Sequence, residues 1–247
     1  MKISIITVCY NSEKTIERTI KSVFTQSVDD LEYILVDGKS EDGTIRIITE
    51  YEPAFIEKGW EYRYISEADN GMYDAMNKGI HMATGDLIGI LNSDDWYEDD
   101  TLSIVSETYK NNPDTDIFMG AIRILNGNQI IIKKARDRRY KTSRDFNHPA
   151  MFVTKECYKE VGDYKIGNVH DDYGWYLKAK KNGKKVQIID EILTDYPTGG
   201  EGSRKSFYDT VTRIGKKYLV YKENEYSFLY FFECFFQEIA KFIILKR

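Results

Sequence analysis

A chain of 247 residues, 42% apolar and 30% charged, is long enough to bury a substantial core and too apolar to be disordered. Its formal net charge of −5 argues against nonspecific nucleic-acid binding, so no nucleic-acid partner is expected. Cys9, Cys157 and Cys234 lie far apart with no CxxC or Cys/His ligand spacing, which excludes a zinc motif and predicts reduced thiols in the cytoplasm.

Ile3 to Tyr10 is apolar, β-branched and short, and reads as a first buried strand. The apolar stretch after Met1-Lys2 is shorter than a secretory leader, in keeping with a cytoplasmic location. Asn11 and Ser12 suit the cap of a helix over Glu13 to Gln26, with Ile16, Ile20, Val23 and Phe24 on one face. Glu32 to Val36 reads as a second strand ending in Asp37-Gly38-Lys39-Ser40, and Asp42-Gly43-Thr44 starts a helix through Tyr51. A third strand covers Glu61 to Ile65. Met72 to Ala83 is a helix closed by Thr84-Gly85. Leu87 to Leu91 is the fourth strand. Asp99 and Asp100 stand where acids cap a helix and suit its dipole, and that helix runs from Leu102 to Tyr109. Strand and helix thus alternate over residues 1–110, the signature of a parallel sheet with helices on both faces.

The rhythm then changes. Ile117 to Leu125 and Gln129 to Lys134 flank Asn126-Gly127-Asn128, a hairpin signal. The basic run from Lys133 to Lys141 is either a solvated loop or a contact for an anionic acceptor or membrane surface. Met151-Phe152-Val153 is strand-like, helices are predicted over Lys155 to Val161 and Tyr173 to Lys181, and Lys185 to Ile189 reads as one more strand. From Tyr226 to Arg247, Phe228, Phe231, Phe232, Phe235, Ile239, Phe242 and Ile243 recur at helical spacing, with Glu233, Gln237 and Lys241 on the opposite side. Glu233, Glu238 and Lys241 argue against a membrane span. Three readings remain: a core-covering helix, a dimerising helix, or a helix lying on a membrane with Lys246-Arg247 at its end.

Chemistry concentrates at the strand ends. In an open α/β sheet, ligands sit beyond the carboxyl ends of the strands. Those ends are Thr7 to Asn11, Asp37-Gly38, the segment Glu67-Ala68-Asp69-Asn70-Gly71, and Asn92-Ser93-Asp94-Asp95. Adjacent acids right at a strand end suit a hard divalent cation and, through it, a phosphate. No GxGxxG and no GxxxxGK[ST] is present, so neither a dinucleotide site nor a P-loop is supported.

Four segments together resemble family 2 glycosyltransferases of the GT-A fold: Ser4 to Ser12, Ile34 to Thr44, Glu67 to Gly79, and Ala83 to Asp86 followed by Asn92 to Asp95. The resemblance is close over residues 1–110, loose over 145–190 and absent from the tail. It implies a Rossmann-related, mostly parallel central sheet flanked by helices. By it, residues 1–205 form the GT-A domain, with a nucleotide-binding half (1–110) and an acceptor half (111–205), and 206–247 a C-terminal helical extension. The implied activity is inverting transfer of a sugar from a nucleotide-sugar, with Mn²⁺ or Mg²⁺ as cofactor. Asp37 would accept a hydrogen bond from the base, typically the imide of uracil, which favours a UDP-sugar. Thr7, Tyr10, Asn11 and Glu13 would line the nucleoside pocket. Asp69, Asn70 and Gly71 would approach the nucleotide and sugar, and Asn77 would shape the same pocket, unless it belongs to a polar helix face. The family's acidic signature is often Asp-x-Asp-Asp. Here Asn92 stands first and brings no charge, so Ser93 and Asn92 would line the donor while Asp94, helped by Asp95, holds the metal.

Inversion needs a base on the acceptor side. The resemblance points to Asp172, with Asp171 as its neighbour, ahead of the helix that carries Trp175; capping acids are the alternative. His148, Trp96 and Trp175 are acceptor-side candidates or core residues. The expected acceptor is a saccharide, lipid-linked at the inner face of the cytoplasmic membrane, for a surface polysaccharide, with peripheral membrane contact through 226–247 and a homodimer as further options. A sugar nucleotidyltransferase and a non-catalytic nucleotide-sugar-binding module are the competing readings. The former usually opens with a Gly-rich, arginine-containing loop, where this chain has Cys9 to Glu13.

Overall fold

The computed structural model describes residues 1–198 and 207–245. In chain order its elements are β1 (Ile3–Cys9), α1 (Ile16–Phe24), β2 (Leu31–Asp37), α2 (Thr44–Glu57), β3 (Glu61–Ser66), α3 (Met72–Met82), β4 (Leu87–Ile90), β5 (Trp96–Tyr97), α4 (Thr101–Asn111), β6 (Ile117–Asn126), β7 (Gln129–Lys133), β8 (Met151–Thr154), α5 (Lys155–Val161), α6 (Asp171–Lys181), β9 (Val186–Pro197), α7 (Phe207–Glu223) and α8 (Tyr230–Leu245). The strands form one sheet in the order β3-β2-β1-β4-β8-β6-β9-β5, with β7 added to β6.

β3, β2, β1 and β4 run parallel, as strand–helix alternation requires. Beyond them β8 is antiparallel to β4 and β6, β9 is parallel to β6, and β5 and β7 are antiparallel additions. The parallel arrangement therefore describes the first half, and the sheet as a whole is mixed. Helices cover both faces. Ile6 and Val8 of β1 pack with Tyr73 and Met76 of α3, while Ile3 and Ile5 pack with Ile16, Ile20 and Val23 of α1. Burial on both faces is why these strands read as continuous apolar runs.

One charge is buried at the opposite end of the sheet from the expected site. Glu32 accepts from Ser4 Oγ (2.5 Å), Thr84 N (2.8 Å), Thr84 Oγ1 (3.0 Å) and Arg63. These bonds join β1, β2, β3 and the segment before β4.

Several boundaries move for identifiable reasons. Asn11 and Ser12 do not cap α1 through their side chains; the cap is Thr15, and the Ser12 carbonyl receives Thr15 N and Ile16 N. Asp100 stands at the cap of α4, but its carbonyl, not its carboxylate, accepts the helix N–H. α2 continues past Tyr51 through Pro53, because Phe55 is buried among Phe24, Tyr33, Trp60 and Tyr62 and that packing outweighs one lost helical bond. β9 runs on to Pro197 because its second half pairs with β6 and β5.

The C-terminal segment departs furthest from expectation. α7 falls within the helical extension expected over 206–247, for which the sequence marks no separate first helix, and α8 begins at Tyr230, while Lys246-Arg247 lies outside the described residues. α8 is inverted relative to its apparent amphipathicity. Tyr230, Cys234, Gln237 and Glu238 face inward, whereas Phe231, Phe232, Phe235 and Phe236, with Phe228 and Leu229 just before them, are exposed. The cause is a buried cation on α7: Lys217 donates to Gln237 Oε1 (2.6 Å) and pairs with Glu238 (3.5 Å), which also pairs with Lys241 (3.3 Å). A buried ammonium needs acceptors, so it draws the polar side of α8 inward. Tyr230 seals the contact by stacking on Tyr221 (4.3 Å) and Tyr140 (4.7 Å).

Tyr230→Ala should lower the unfolding free energy by about 3 kcal/mol. Phe232→Ser and Phe236→Ser should change it by less than about 0.5 kcal/mol. Urea denaturation measures both, and equal losses would mean that the phenylalanine row faces the core.

Candidate active site

The loops after β1 and β2 are locked together at the carboxyl edge of the sheet. Asn11, at φ +48°, accepts from Glu41 N through Oδ1 (2.9 Å) and donates its own N–H to Ser40 Oγ (2.7 Å). Ser12 N donates to Thr44 Oγ1 (2.7 Å), and Glu13 Oε2 accepts from Gly43 N (2.9 Å). The strand end of β4 joins this frame where Ser93 Oγ meets Ser12 Oγ (2.8 Å). Asn11 and Glu13 thus spend their side chains on the frame, not on a pocket wall.

Asp37 does likewise. Its carboxylate is fully buried and receives Ser40 Oγ, Ser40 N (2.9 Å) and Ser66 Oγ (2.6 Å). As arranged it organises the turn after β2, and a base could reach it only by displacing one of these donors. Thr7 is also fully buried, its hydroxyl 3.0 Å from that of Tyr33 inside the sheet, so its side chain does not line the crevice. Tyr10 and Asp69 do. Tyr10 is 63% exposed. Asp69 Oδ2 lies so close to Gly38 that a Cβ there would sit 2.6 Å from it, so a larger residue would push the Asp69 carboxylate aside. The next turn is equally fixed: Gly71 N donates to Asp69 Oδ1 (2.8 Å), Asn70 N to Asp74 Oδ2 (2.9 Å), and Gly71 has φ +105°, open to glycine.

At the end of β4 the carboxylates are short of partners. Asn92 Oδ1 and Asp95 Oδ1 are buried and, among the described residues, meet no donor. Burial pushes Asp94 toward protonation, and burial with the Asp94 charge pushes Asp95 well above the usual carboxylate range. Arg18 donates to the Asp94 carbonyl (3.2 Å), and Thr19 Oγ1 to that of Asp95 (2.7 Å), so the cations and hydroxyls nearby hold the backbone and leave the carboxylates. A set of buried oxygens lacking donors suits a hard cation. No group of three or more acidic, His or Cys side chains gathers there among the described residues. Asp94 is part-exposed and Asp95 enclosed, so Asp94 is the one that can meet a ligand.

Across the crevice stands Asp172, in the first turn of α6. Its Oδ1 accepts from the Tyr73 hydroxyl (3.0 Å) and from Tyr173 N (2.7 Å); among the described residues Oδ2 takes no hydrogen bond. Burial, and then the Asp172 charge, push the Tyr73 phenol up, so it stays a donor. Tyr196 of β9 is raised to about 12, first by burial and then by the charges of Asp95, Asp94 and Asp172.

Asn77, expected on the donor side, and the acceptor-side candidates take other places. Asn77 does not shape a nucleotide pocket: it is buried, its amide donates to Tyr164 O (2.9 Å) and its oxygen accepts from Tyr164 N (2.9 Å). Asp171 is buried and accepts from Asn168 N (2.8 Å), a loop brace instead of a partner for Asp172. Trp175 is 3% exposed and donates to Gly162 O (2.6 Å), so it belongs to the core. His148 is buried edge-on to Tyr164, with its pKa depressed by burial against the opposing Asp172 charge. Trp96 carries the Arg18 guanidinium 3.5 Å over its ring, so that face is taken.

The sequence reading missed Arg18, Tyr73 and Tyr196. Tyr73 sits inside the quoted Glu67–Gly79 segment, one helical turn before Asn77, and that spacing was the available signal. Arg18 and Tyr196 had none, since each is placed by a partner remote in sequence.

Residues 4–169 match the model of "Glycosyl transferase family 2". The chain is similar to a PGL/p-HBAD biosynthesis glycosyltransferase of Mycobacterium bovis (31% identical over 165 residues, 66% of this chain), of whose length it spans 63%. It is also similar to an uncharacterized glycosyltransferase of Methanocaldococcus jannaschii, at 24% identity over 98% of this chain and 88% of the relative. Among solved structures, S. aureus TarS 1–349 in complex with UDP superposes with a TM-score of 0.68 at 18% identity, over 98% of this chain and 71% of that one. The mannosyltransferase PcManGT from Pyrobaculum calidifontis, in complex with GDP-Man and Mn²⁺, gives 0.68 at 17% identity, over 90% and 63%. At such identities the likeness shows the fold, which is GT-A-like α/β.

Asn77→Ala should strip the Tyr164 backbone of both partners in a buried setting, costing about 2 kcal/mol or more. Hydrogen exchange at the Tyr164 amide should rise well beyond the global change, and unaltered protection would show that the loop stands without the clamp.

Proposed function

The chain belongs to glycosyl transferase family 2, and from that premise we propose that it moves a sugar from a UDP-sugar to a hydroxyl of a saccharide acceptor, with inversion at the anomeric carbon. The observation that carries this is the pair of opposed acids: part-exposed Asp94, beside the buried oxygens of Asn92 and Asp95 that lack donors among the described residues, and Asp172 across the crevice with one oxygen held and the other free.

The parts then take these roles. The exposed Tyr10 ring stacks on the base, and Asp69 faces the ribose and sugar from its locked turn. Asp94, with Asp95 behind it, would hold Mn²⁺ or Mg²⁺, which when bound neutralises charge on the departing diphosphate. Asp172 Oδ2 takes the proton of the acceptor hydroxyl while that oxygen attacks the anomeric carbon and the bond to the diphosphate breaks on the opposite face. Tyr73, donating to Oδ1, keeps Asp172 aimed. The solved neighbours with UDP and with GDP-Man and Mn²⁺ support a nucleoside-diphosphate-sugar donor, and the first of them favours UDP.

The acceptor is lipid-linked in this reading, as in assembly of a surface polysaccharide at the inner face of the cytoplasmic membrane. No helix among the described residues is long and apolar enough to cross a bilayer. The outward row of Phe228, Leu229, Phe232 and Phe236 instead supports a helix resting in the lipid interface.

Calorimetry should show UDP binding that depends on Mn²⁺ and is lost in Asp94→Asn; a preference for another nucleotide would overturn the donor assignment. Asp172→Asn should cut transfer by about 10²–10⁴-fold while leaving UDP binding intact, and near-normal turnover would remove Asp172 as the base. The combined Phe228→Ser, Phe232→Ser and Phe236→Ser variant should stay folded and lose sedimentation with anionic vesicles. Undiminished sedimentation would mean that α8 does not meet lipid.

A further inference from the structure

The arm after β7 gathers more positive charge than the fold uses. A cavity of about 570 Å³ is lined by five cations, Lys133, Lys134, Arg136, Arg138 and Arg144, against one carboxylate, Asp145. Asp145 is committed: it holds Arg138 through both oxygens (2.7 Å each) and lies 3.9 Å from Arg136. Lys133 donates to the carbonyls of Phe146 (2.6 Å) and Ser143 (3.3 Å). Lys134 and Arg144 are exposed and, among the described residues, have no carboxylate partner. In a chain of net charge −5, so local an excess is fitted to an anion.

Its surroundings narrow the anion. On one side, Lys133 holds the Phe146 carbonyl (2.6 Å), and the Phe146 ring lies 5.3 Å from that of Tyr173, the residue after Asp172 in α6, so the inner wall of the cavity leads toward the acceptor side of the crevice. On the other, the arm is docked on α8, where Tyr140 stacks on Tyr230 (4.7 Å), Lys141 N donates to the Tyr230 hydroxyl (3.2 Å), and Gln237 Nε2 donates to Thr142 Oγ1 (3.1 Å). That is the helix with outward phenylalanines. The strand leading into the cavity adds Ile130, Ile131 and Ile132, all at least half exposed. A basic seat thus lies between an acid poised at the crevice and apolar surface.

We propose that this cavity seats the phosphate or diphosphate group of the acceptor, a proposal that rests on the transfer reading given above. Arg144 and Lys134 supply the unspent charge, and Arg136 and Arg138, braced by Asp145, present guanidinium N–H groups to phosphate oxygens. The group is carried either by a lipid or by a soluble phosphorylated saccharide; the recognition chemistry is the same.

The test is calorimetric titration of the full chain with inorganic pyrophosphate, without divalent cations, at about 0.15 M salt so that diffuse attraction is screened. Wild type should bind. The double variant Lys134→Glu, Arg144→Glu should bind at least tenfold more weakly with an unchanged melting temperature, and Asp94→Asn should bind like wild type. Equal binding by wild type and the double variant, or none by wild type, overturns the proposal, and markedly tighter binding by Asp94→Asn, which removes a like charge there, would place the pyrophosphate at the donor site and overturn it too. Sedimentation with phosphatidylcholine vesicles, with and without phosphatidic acid, separates the sources. Loss of the phosphatidic-acid-dependent part in the double variant supports a lipid-borne group, and its retention beside lost pyrophosphate binding supports a soluble one. Mn²⁺-dependent UDP binding should survive in the double variant. If wild type binds pyrophosphate as expected but never UDP, the seat stands and the transfer reading falls.

Discussion

Two side chains of α3, one helical turn apart, couple the halves of this molecule. α3 lies on β1 and β2, in the parallel half. From there Asn77 grips both backbone groups of Tyr164, and Tyr73 donates to Val169 O (3.1 Å) and Asp172 Oδ1 (3.0 Å). The segment 162–170 between α5 and α6 has no regular structure to position it. Its course, and with it the placement of Asp172 at the start of α6, is conditional on what α3 offers. A buried amide pair of this kind is expensive to leave unmade, so the clamp acts as a constraint and not as ornament. The acid at the start of α6 is thus tied to the parallel half through α3, while Asn168 donating to Lys216 O (2.8 Å) and Trp175 to Gly162 O (2.6 Å) brace the same segment.

That dependence explains which parts of the site were legible in the sequence. Parallel strands buried on both faces announce themselves as apolar runs, and the hairpin by Asn126-Gly127-Asn128, so elements were readable to within a few residues. The positions of Asp94 and Asp172, as distinct from the roles proposed for them, were readable because each sits at or just beyond the end of an element. Asn77, Thr7, Asp37 and Trp175 were not. Each carries a polar group whose partner is set by tertiary contact, and in each case the fold spends that group inward, on Tyr164, Tyr33, Ser40 and Gly162. α8 makes the same point about direction. Its period was visible, but which side faces in was decided by Lys217 of α7, a partner that the pattern of α8 alone does not reveal. Amphipathicity predicts the buried side only when the surface beneath is apolar.

The two ends of the sheet treat buried carboxylates in opposite ways, and the contrast locates function better than any one residue. At the amino end Glu32 is enclosed and fully served. Burial alone would raise its pKa, yet the bonds from Ser4 and Thr84 and the charge of Arg63 prevail and hold it below the usual range. Its ionised form is what the structure stabilises, and it works as a rivet between strands. At the carboxyl end Asp95 is as deeply enclosed, but nothing donates to Oδ1 among the described residues, and burial with Asp94 drives it the other way. Arg18 is near enough to help, yet its guanidinium goes to the Asp94 carbonyl and the Trp96 ring. The same backbone could have placed a donor beside Asp95, as it does beside Glu32. An unmet carboxylate destabilises a fold unless something outside the chain completes it, and parallel strand ends are where such completion comes from.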